Sequence, residues 1–364
     1  MTKQIISALA LAVALTLSSA SAQTPGDFYR GKTLELQIGY TPGGGYDTYG
    51  RLMARHLGNH LPGNPQIVVR NMGGAGGVIG ANWLGEVAPP DGLTVGYFTG
   101  VASKSAIGEA SLRIDVSKYS FVAGGPGISV TYARSDIAPG IRKPADIMKA
   151  KDFWIGGLLP ESDKDIRERM QFDMLGLKYH YISNYPGSAE ARLALERNEI
   201  QAYPESMPTY RATIEPNLVK KGEITPLWYD PLDDGENFIT SPDADGIPAK
   251  HFVDFLKEVG REPPKGDFWD AFRLINSVGT VFLRIIVMPP GTPKEASEAI
   301  RKAFAAVNND PEYREDALKT MKFVPSYLTD NKTEALFQAK LRPDPRLRDF
   351  VRSYVEEGRA KLGK

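Results

Sequence analysis

Residues 33–57 read TLELQIGYTPGGGYDTYGRLMARHL, and the pattern changes twice within them. From Thr33 to Tyr40 apolar and polar side chains alternate, the period of a half-buried strand. Thr41-Pro42-Gly43-Gly44-Gly45 breaks that period with residues that favour turns. From Asp47 onward, Tyr49, Leu52, Met53, His56 and Leu57 recur at helical spacing, so a helix with one apolar face is predicted. The same order returns at once. A short strand at 66–69 leads into the loop Gly73-Gly74-Ala75-Gly76-Gly77, a helix at 78–87, the turn Pro89-Pro90-Asp91-Gly92 and a strand at 93–98. Such alternation predicts a parallel sheet with helices on its faces.

The theme continues outward. Strands are predicted at 153–158, 179–183, 200–203 and 227–229, with helices at 162–175 and 189–198, and Pro204-Glu205-Ser206 opens a further helix. The run Asp163-Lys164-Asp165-Ile166-Arg167-Glu168-Arg169 reads as a solvated helix face with i,i+4 ion pairs. Residues 230–265, rich in Pro, Gly and Asp, show little periodicity apart from a helical pattern at 251–259. A second helix at 267–277, a late strand at 284–288 and helices at 293–307, 311–321, 332–339 and 346–361 complete the chain. At 364 residues the sequence supports about two domains, each with its own core.

Composition narrows the function. Lys and Arg number 44 and Asp and Glu number 44, so no basic excess exists to neutralise a nucleic-acid backbone. The chain has no Cys, which excludes disulfides, thiol catalysis and Cys-based metal sites. At the N-terminus Lys3 precedes an apolar run over 5–17, and Ala20-Ser21-Ala22 offers a cleavage site before Gln23. This is the pattern of a secretory signal peptide over 1–22, too short to span a bilayer, and it predicts export.

Two loops run into helices, where unpaired backbone N–H groups attract anions. In the first, Gly43, Gly44 and Gly45 let a ligand approach the main chain, and Asp47 is either part of that site or simply a cap. The second loop fails the dinucleotide fingerprint, because Ile79 stands where the third Gly is needed and Asp91 comes too early. There is no G-x-S-x-G elbow. His56 and His60 share a helix face without the Glu of a zinc-protease motif, and His180 and His251 stand alone. Neither a cofactor nor a metal is expected. These features suggest a binding protein.

Three stretches carry a family resemblance: 39–51, 69–81 and the turn Pro90-Asp91-Gly92-Leu93-Thr94, with weaker agreement at 187–191 and 288–293. Together they resemble the solute receptors of tripartite tricarboxylate transporters, the Bug family. The resemblance implies an α/β periplasmic binding protein of two lobes, each a mainly parallel sheet flanked by helices. One lobe would comprise 23–126 and 284–364, the other 127–283, with an organic carboxylate held in the cleft between them. The family holds its carboxylate largely through backbone N–H groups and ordered waters. Carried over by motif, Tyr40, Thr41, Gly43, Gly44, Tyr46 and Asp47 are the first-loop candidates, and Gly74, Ala75 and Gly76 the second. Ser162, Gly187, Ser188 and Glu205 are the candidates from the other lobe. The partners implied are the carboxylate, a di- or tricarboxylate or an aromatic acid, and the membrane subunits of a transporter, with the receptor itself a monomer. The competing readings are an exported hydrolase using Asp47 or Glu205 and a sensor subunit of a signalling system. The chain departs from the family at Tyr46, where a small hydroxyl residue is usual, at Gly39, where Pro is usual, and throughout 231–283.

Overall fold

A computed structural model describes residues 28–43 and 45–362. The signal-peptide assignment and Gly44 lie outside these residues. Strand β1 (Thr33–Ile38), helix α1 (Gly45–Leu57), β2 (Gln66–Asn71), α2 (Val78–Glu86) and β3 (Thr94–Thr99) follow the predicted order. β1 lies between β2 and β3, parallel to both, with Leu36 paired to Val69 and to Val95. The predicted stripe of α1 is its buried face: Tyr49, Leu52, Met53 and Leu57 are all buried against this sheet.

The next part of the chain carries no clear pattern in sequence. Helix α3 (Val101–Ile107) follows β3, and strands β4 (Ser120–Gly125) and β5 (Ser129–Arg134) follow it. β4 joins the first sheet, while β5 enters a second one together with β6 (Trp154–Gly156), β7 (His180–Ile182), β8 (Ala202–Ser206), β9 (Ile224–Tyr229) and, past the short hairpin β10 (Leu232–Asp233) and β11 (Phe238–Ile239), β12 (Lys250–His251). Strand β13 (Arg284–Met288) returns to the first sheet. The orders are β2-β1-β3-β13-β4 and β12-β9-β5-β8-β6-β7. In each sheet one strand runs against the rest, β13 in the first and β5 in the second. These are the strands entered directly from the two crossings, 126–128 and 281–283. The crossings lie side by side, the Gly127 N–H donating to the Thr280 carbonyl at 3.0 Å. The fold class read from the loops, two mainly parallel sheets flanked by helices, therefore holds.

One expectation fails on packing. The charged run at 163–169 is not a solvated face. It forms the first half of helix α4 (Asp163–Met174), whose Asp165, Arg167, Glu168 and Arg169 are all buried. Helix α5 (Ser188–Glu196), α6 (Phe252–Glu258) and α7 (Asp267–Thr280) follow, and α7 packs across α4. A Cβ at Gly279 of α7 would overlap Arg167 and Asp163. The charges persist because they are paired. Arg167 bonds Asp163 at 2.7 Å and Asp230 at 3.1 Å, and Asp230 also accepts from Gln171 at 2.9 Å and from the Ser129 N–H at 3.1 Å. The segment 284–364, expected with the first sheet, reaches both halves. After α8 (Lys294–Val307), α9 (Pro311–Met321) and α10 (Asn331–Leu341), the last helix α11 (Pro345–Lys361) packs on α3 and α7. It also clasps Arg169 of α4, whose guanidinium lies between the rings of Tyr181 and Tyr354 and donates to the Tyr354 carbonyl.

Glu168 is the exception to pairing, since neither carboxylate oxygen has a hydrogen-bond partner among the described residues. Burial, reinforced by Asp165, pushes its pKa well above the ordinary glutamate value. The folded protein thus retains a proton that the unfolded chain releases, so stability declines as pH rises above the ordinary glutamate range. Melting curves from about pH 5 to about pH 8 should fall less steeply for Glu168→Gln than for the wild type; parallel curves for the two proteins would exclude this coupling.

Candidate ligand-binding cleft

The first glycine loop is organised by Asp47. Its carboxylate accepts from the Gly43 N–H and Arg51 Nε, both at 2.9 Å, and from Asn71 Nδ2 at 2.8 Å. Asn71, at the end of β2, also donates to the Tyr40 carbonyl at 2.9 Å. Burial opposes the charge, but these hydrogen bonds outweigh it and hold Asp47 below the usual carboxylate range. The oxygens of Asp47 are thus engaged in tying the loop to β2. Thr41 and Gly43 are exposed on the loop's outer side. Gly43 has φ of +85°, which favours Gly there.

The second loop also has a structural explanation. Gly74, Ala75, Gly76 and Gly77 all have positive φ. A Cβ on the preceding Gly73 would come within 2.8 Å of the Thr41 backbone, so glycine lets the two loops touch. Gly74, Ala75 and Gly76 are solvent-exposed and line no part of the cleft described next.

That cleft, about 560 Å³, lies where α1, both crossings and the start of α4 converge. Of the predicted residues, Tyr46 and Ser188 line it. Tyr40 stands behind Tyr46, ring centroids 4.6 Å apart. Ser162 is the N-cap of α4, accepting from the Asp165 N–H, and Gly187 is the extended N-cap of α5. Glu205 is not in a loop before a helix but inside β8, fully buried and paired with Arg192 at 3.2 Å and the Ser206 N–H at 3.0 Å. Burial raises its pKa against those partners. Neither carboxylate of the hydrolase reading, Asp47 or Glu205, faces the cleft.

Its charge comes instead from four residues that sequence reasoning missed: Asp163, Lys164 and Arg167 of α4, and Arg284 at the start of β13. Lys164 donates to the Tyr203 hydroxyl at 2.8 Å, which in turn donates to Ser188 at 3.0 Å. Burial works against its ammonium, but Tyr203 and Glu205 keep its pKa above the ordinary value. Arg284 is only 8% exposed. One of its nitrogens donates to the Pro126 carbonyl at 3.0 Å, and the guanidinium lies over the Tyr49 ring, 4.7 Å from its centroid. It makes no ion pair among the described residues, and its Nε has no hydrogen-bond partner. The sequence did carry a signal, a lone cation leading the apolar run of β13, which is unusual for a buried strand. A larger depression of about 850 Å³ lies beside Arg134 in the second sheet, but that guanidinium is already paired with Asp136 at 2.6 Å. Among the described residues no cluster of His, Asp and Glu could hold a metal, and no helix is long and apolar enough to cross a membrane.

Comparison with known proteins agrees with this architecture. A TctC solute binding protein from Polaromonas superposes with a TM-score of 0.64 at 21% identity, over 90% of this chain and 99% of that one. The periplasmic binding protein BugD superposes with a TM-score of 0.53 at 19% identity, over 92% and 98% of the two chains. The chain has the fold of the TctC and BugD solute-binding proteins. An R. palustris protein solved with adipate gives a TM-score of 0.53 at 16% identity, over 91% and 96%. In sequence, a UPF0065 protein from Pseudomonas sp. (strain P51) is 33% identical over 85 residues, and one from Cupriavidus necator is 38% identical over 86. The chain spans about a quarter of the length of these curated relatives, 24% and 25%. No family model matches.

Because Asp47 serves the loop, its removal should act through structure. Asp47→Ala is expected to lower stability by about 1–3 kcal/mol, leaving the Gly43 N–H and Asn71 without their acceptor. Denaturant titration measures this, and an unchanged midpoint would show that the loop holds without it.

Proposed function

We propose that this protein is an exported solute receptor without catalytic activity, which captures an organic carboxylate in the cleft and delivers it to the membrane subunits of a tripartite transporter. The observation that carries the proposal is Arg284. A buried guanidinium that makes no ion pair among the described residues, and meets Asp243 only through its field, gains from an anion that completes it, and this one borders the cleft. Lys164 of α4 supplies a second positive group from the other half, so an anion lying between them would draw the two halves together. The likeness to solute-binding proteins supports the receptor role, and the adipate found with one of them supports a carboxylate as ligand. Export rests on the signal-peptide pattern of residues 1–22, and delivery to a transporter rests on the resemblance of the glycine loops.

The test is ligand-dependent stability. A carboxylate that binds only the folded protein should raise its melting temperature with dose. In Arg284→Gln, which removes the charge but keeps a polar side chain, calorimetric affinity for that acid should fall about 10- to 100-fold, the worth of a charged hydrogen bond. Equal affinity in the variant, or a response to neutral sugars alone, would overturn the assignment.

A further inference from the structure

Two helices of the second half begin at the cleft, and one tyrosine behind them holds both. Lys164 is in the first turn of α4 and Ser188 is the first residue of α5, and each lines the cavity. Tyr203 is not part of the lining. It lies in β8, fully buried between β5 and β6, with its ring edge-on to that of Tyr132 in the neighbouring strand. Its hydroxyl accepts from the Lys164 ammonium at 2.8 Å and donates to Ser188 Oγ at 3.0 Å. The ammonium also sits over the Tyr203 ring, 4.3 Å from its centroid. Two positions along β8, Glu205 pairs with Arg192 of α5 at 3.2 Å, so the same strand grips α5 twice.

The direction of this chain of hydrogen bonds follows from its first member. An ammonium can only donate, so the Tyr203 hydroxyl accepts there and its single hydrogen is committed to Ser188. Ser188 Oγ, having accepted, keeps its own hydrogen, which has no other acceptor among the described residues. Lys164 keeps two N–H groups and makes no further hydrogen bond among those residues. Burial opposes its charge, but Tyr203 and Glu205 raise its pKa above the ordinary value, so it remains a donor at neutral pH. Both side chains therefore offer donors to the cavity, which a ligand meets with an acceptor oxygen. A lysine held by nothing would have to be ordered by the ligand itself, at a cost in entropy. A serine without the tyrosine would be free to turn its hydroxyl the other way.

We infer that Tyr203 is a positioning residue for ligand capture, fixing Lys164 and Ser188 as a pair of hydrogen-bond donors beside the cleft. This rests on the receptor reading and adds to it a residue that acts without touching the ligand. The experiment is calorimetry with adipate, citrate and benzoate on protein unfolded and refolded to strip any retained ligand. Wild type, Tyr203→Phe, Ser188→Ala and the double variant are compared with the acid that the wild type binds most tightly. Tyr203→Phe keeps the buried ring and removes only the hydroxyl, and should weaken that acid about 5- to 20-fold. In the Ser188→Ala background the same change should cost a factor about threefold smaller, because part of its effect passes through Ser188. A tyrosine that merely packs would cost the same in both backgrounds. Unchanged affinity in Tyr203→Phe, or equal costs in the two backgrounds, would overturn the positioning role and leave the receptor reading intact. Failure of every acid to bind the wild type would overturn the receptor reading and this inference with it.

Discussion

The guanidinium of Arg284 sits where the two halves of the molecule are joined. It begins β13, directly after the chain returns from the second sheet, and donates to the carbonyl of Pro126, where the chain departs for that sheet. The neighbouring Gly127 N–H donates to the Thr280 carbonyl, so the two crossings are bonded to each other beside this arginine. Side chains are excluded around it. A Cβ on Gly125 would come within 2.9 Å of the Arg284 Cβ, and one on Gly127 would lie 2.6 Å from Leu283 and 2.9 Å from an Arg284 nitrogen. Glycine at these positions leaves room for a cation that would otherwise have no place at the centre of the fold.

Around this joint the protein buries charge to an unusual degree. Helix α4 carries Asp165, Arg167, Glu168 and Arg169 into the interior, and most of them find partners on other elements: Asp230 after β9, Tyr181 in β7 and the backbone of α11. Buried pairs of this kind are weak sources of net stability, because desolvation offsets much of their attraction. Their effect is positional. The network that fixes Arg167 also fixes the first turn of α4, and with it the Lys164 ammonium in the lining of the cleft.

How much could be read from the chain follows the reach of each signal. Local periodicity located β1, α1, β2, α2 and β3 to within a few residues, and the glycine loops were enough to indicate the fold. The site was less legible. Tyr46 and Ser188 line the cleft, while Asp47, Ser162 and Glu205 hold backbone or neighbours. An acid beside a glycine loop looks the same in sequence whether it meets a ligand or caps its own chain. Lys164 and Arg167 were hidden for a related reason: charges at i and i+4 ordinarily mark a wet helix face, and only the packing of α7 and β9 against α4 reveals a buried one.

The sequence by itself determined the alternation of strand and helix, the glycines that allow tight loops and the resemblance these carry, because each depends on residues within one or two turns of one another. The tertiary structure decided where charge is free and where it is spent. Arg284 and Pro126 are 158 residues apart, and Arg167 and Asp230 are 63 apart. Whether a cation is already neutralised depends on which distant segments the fold brings beside it, and no local pattern encodes that.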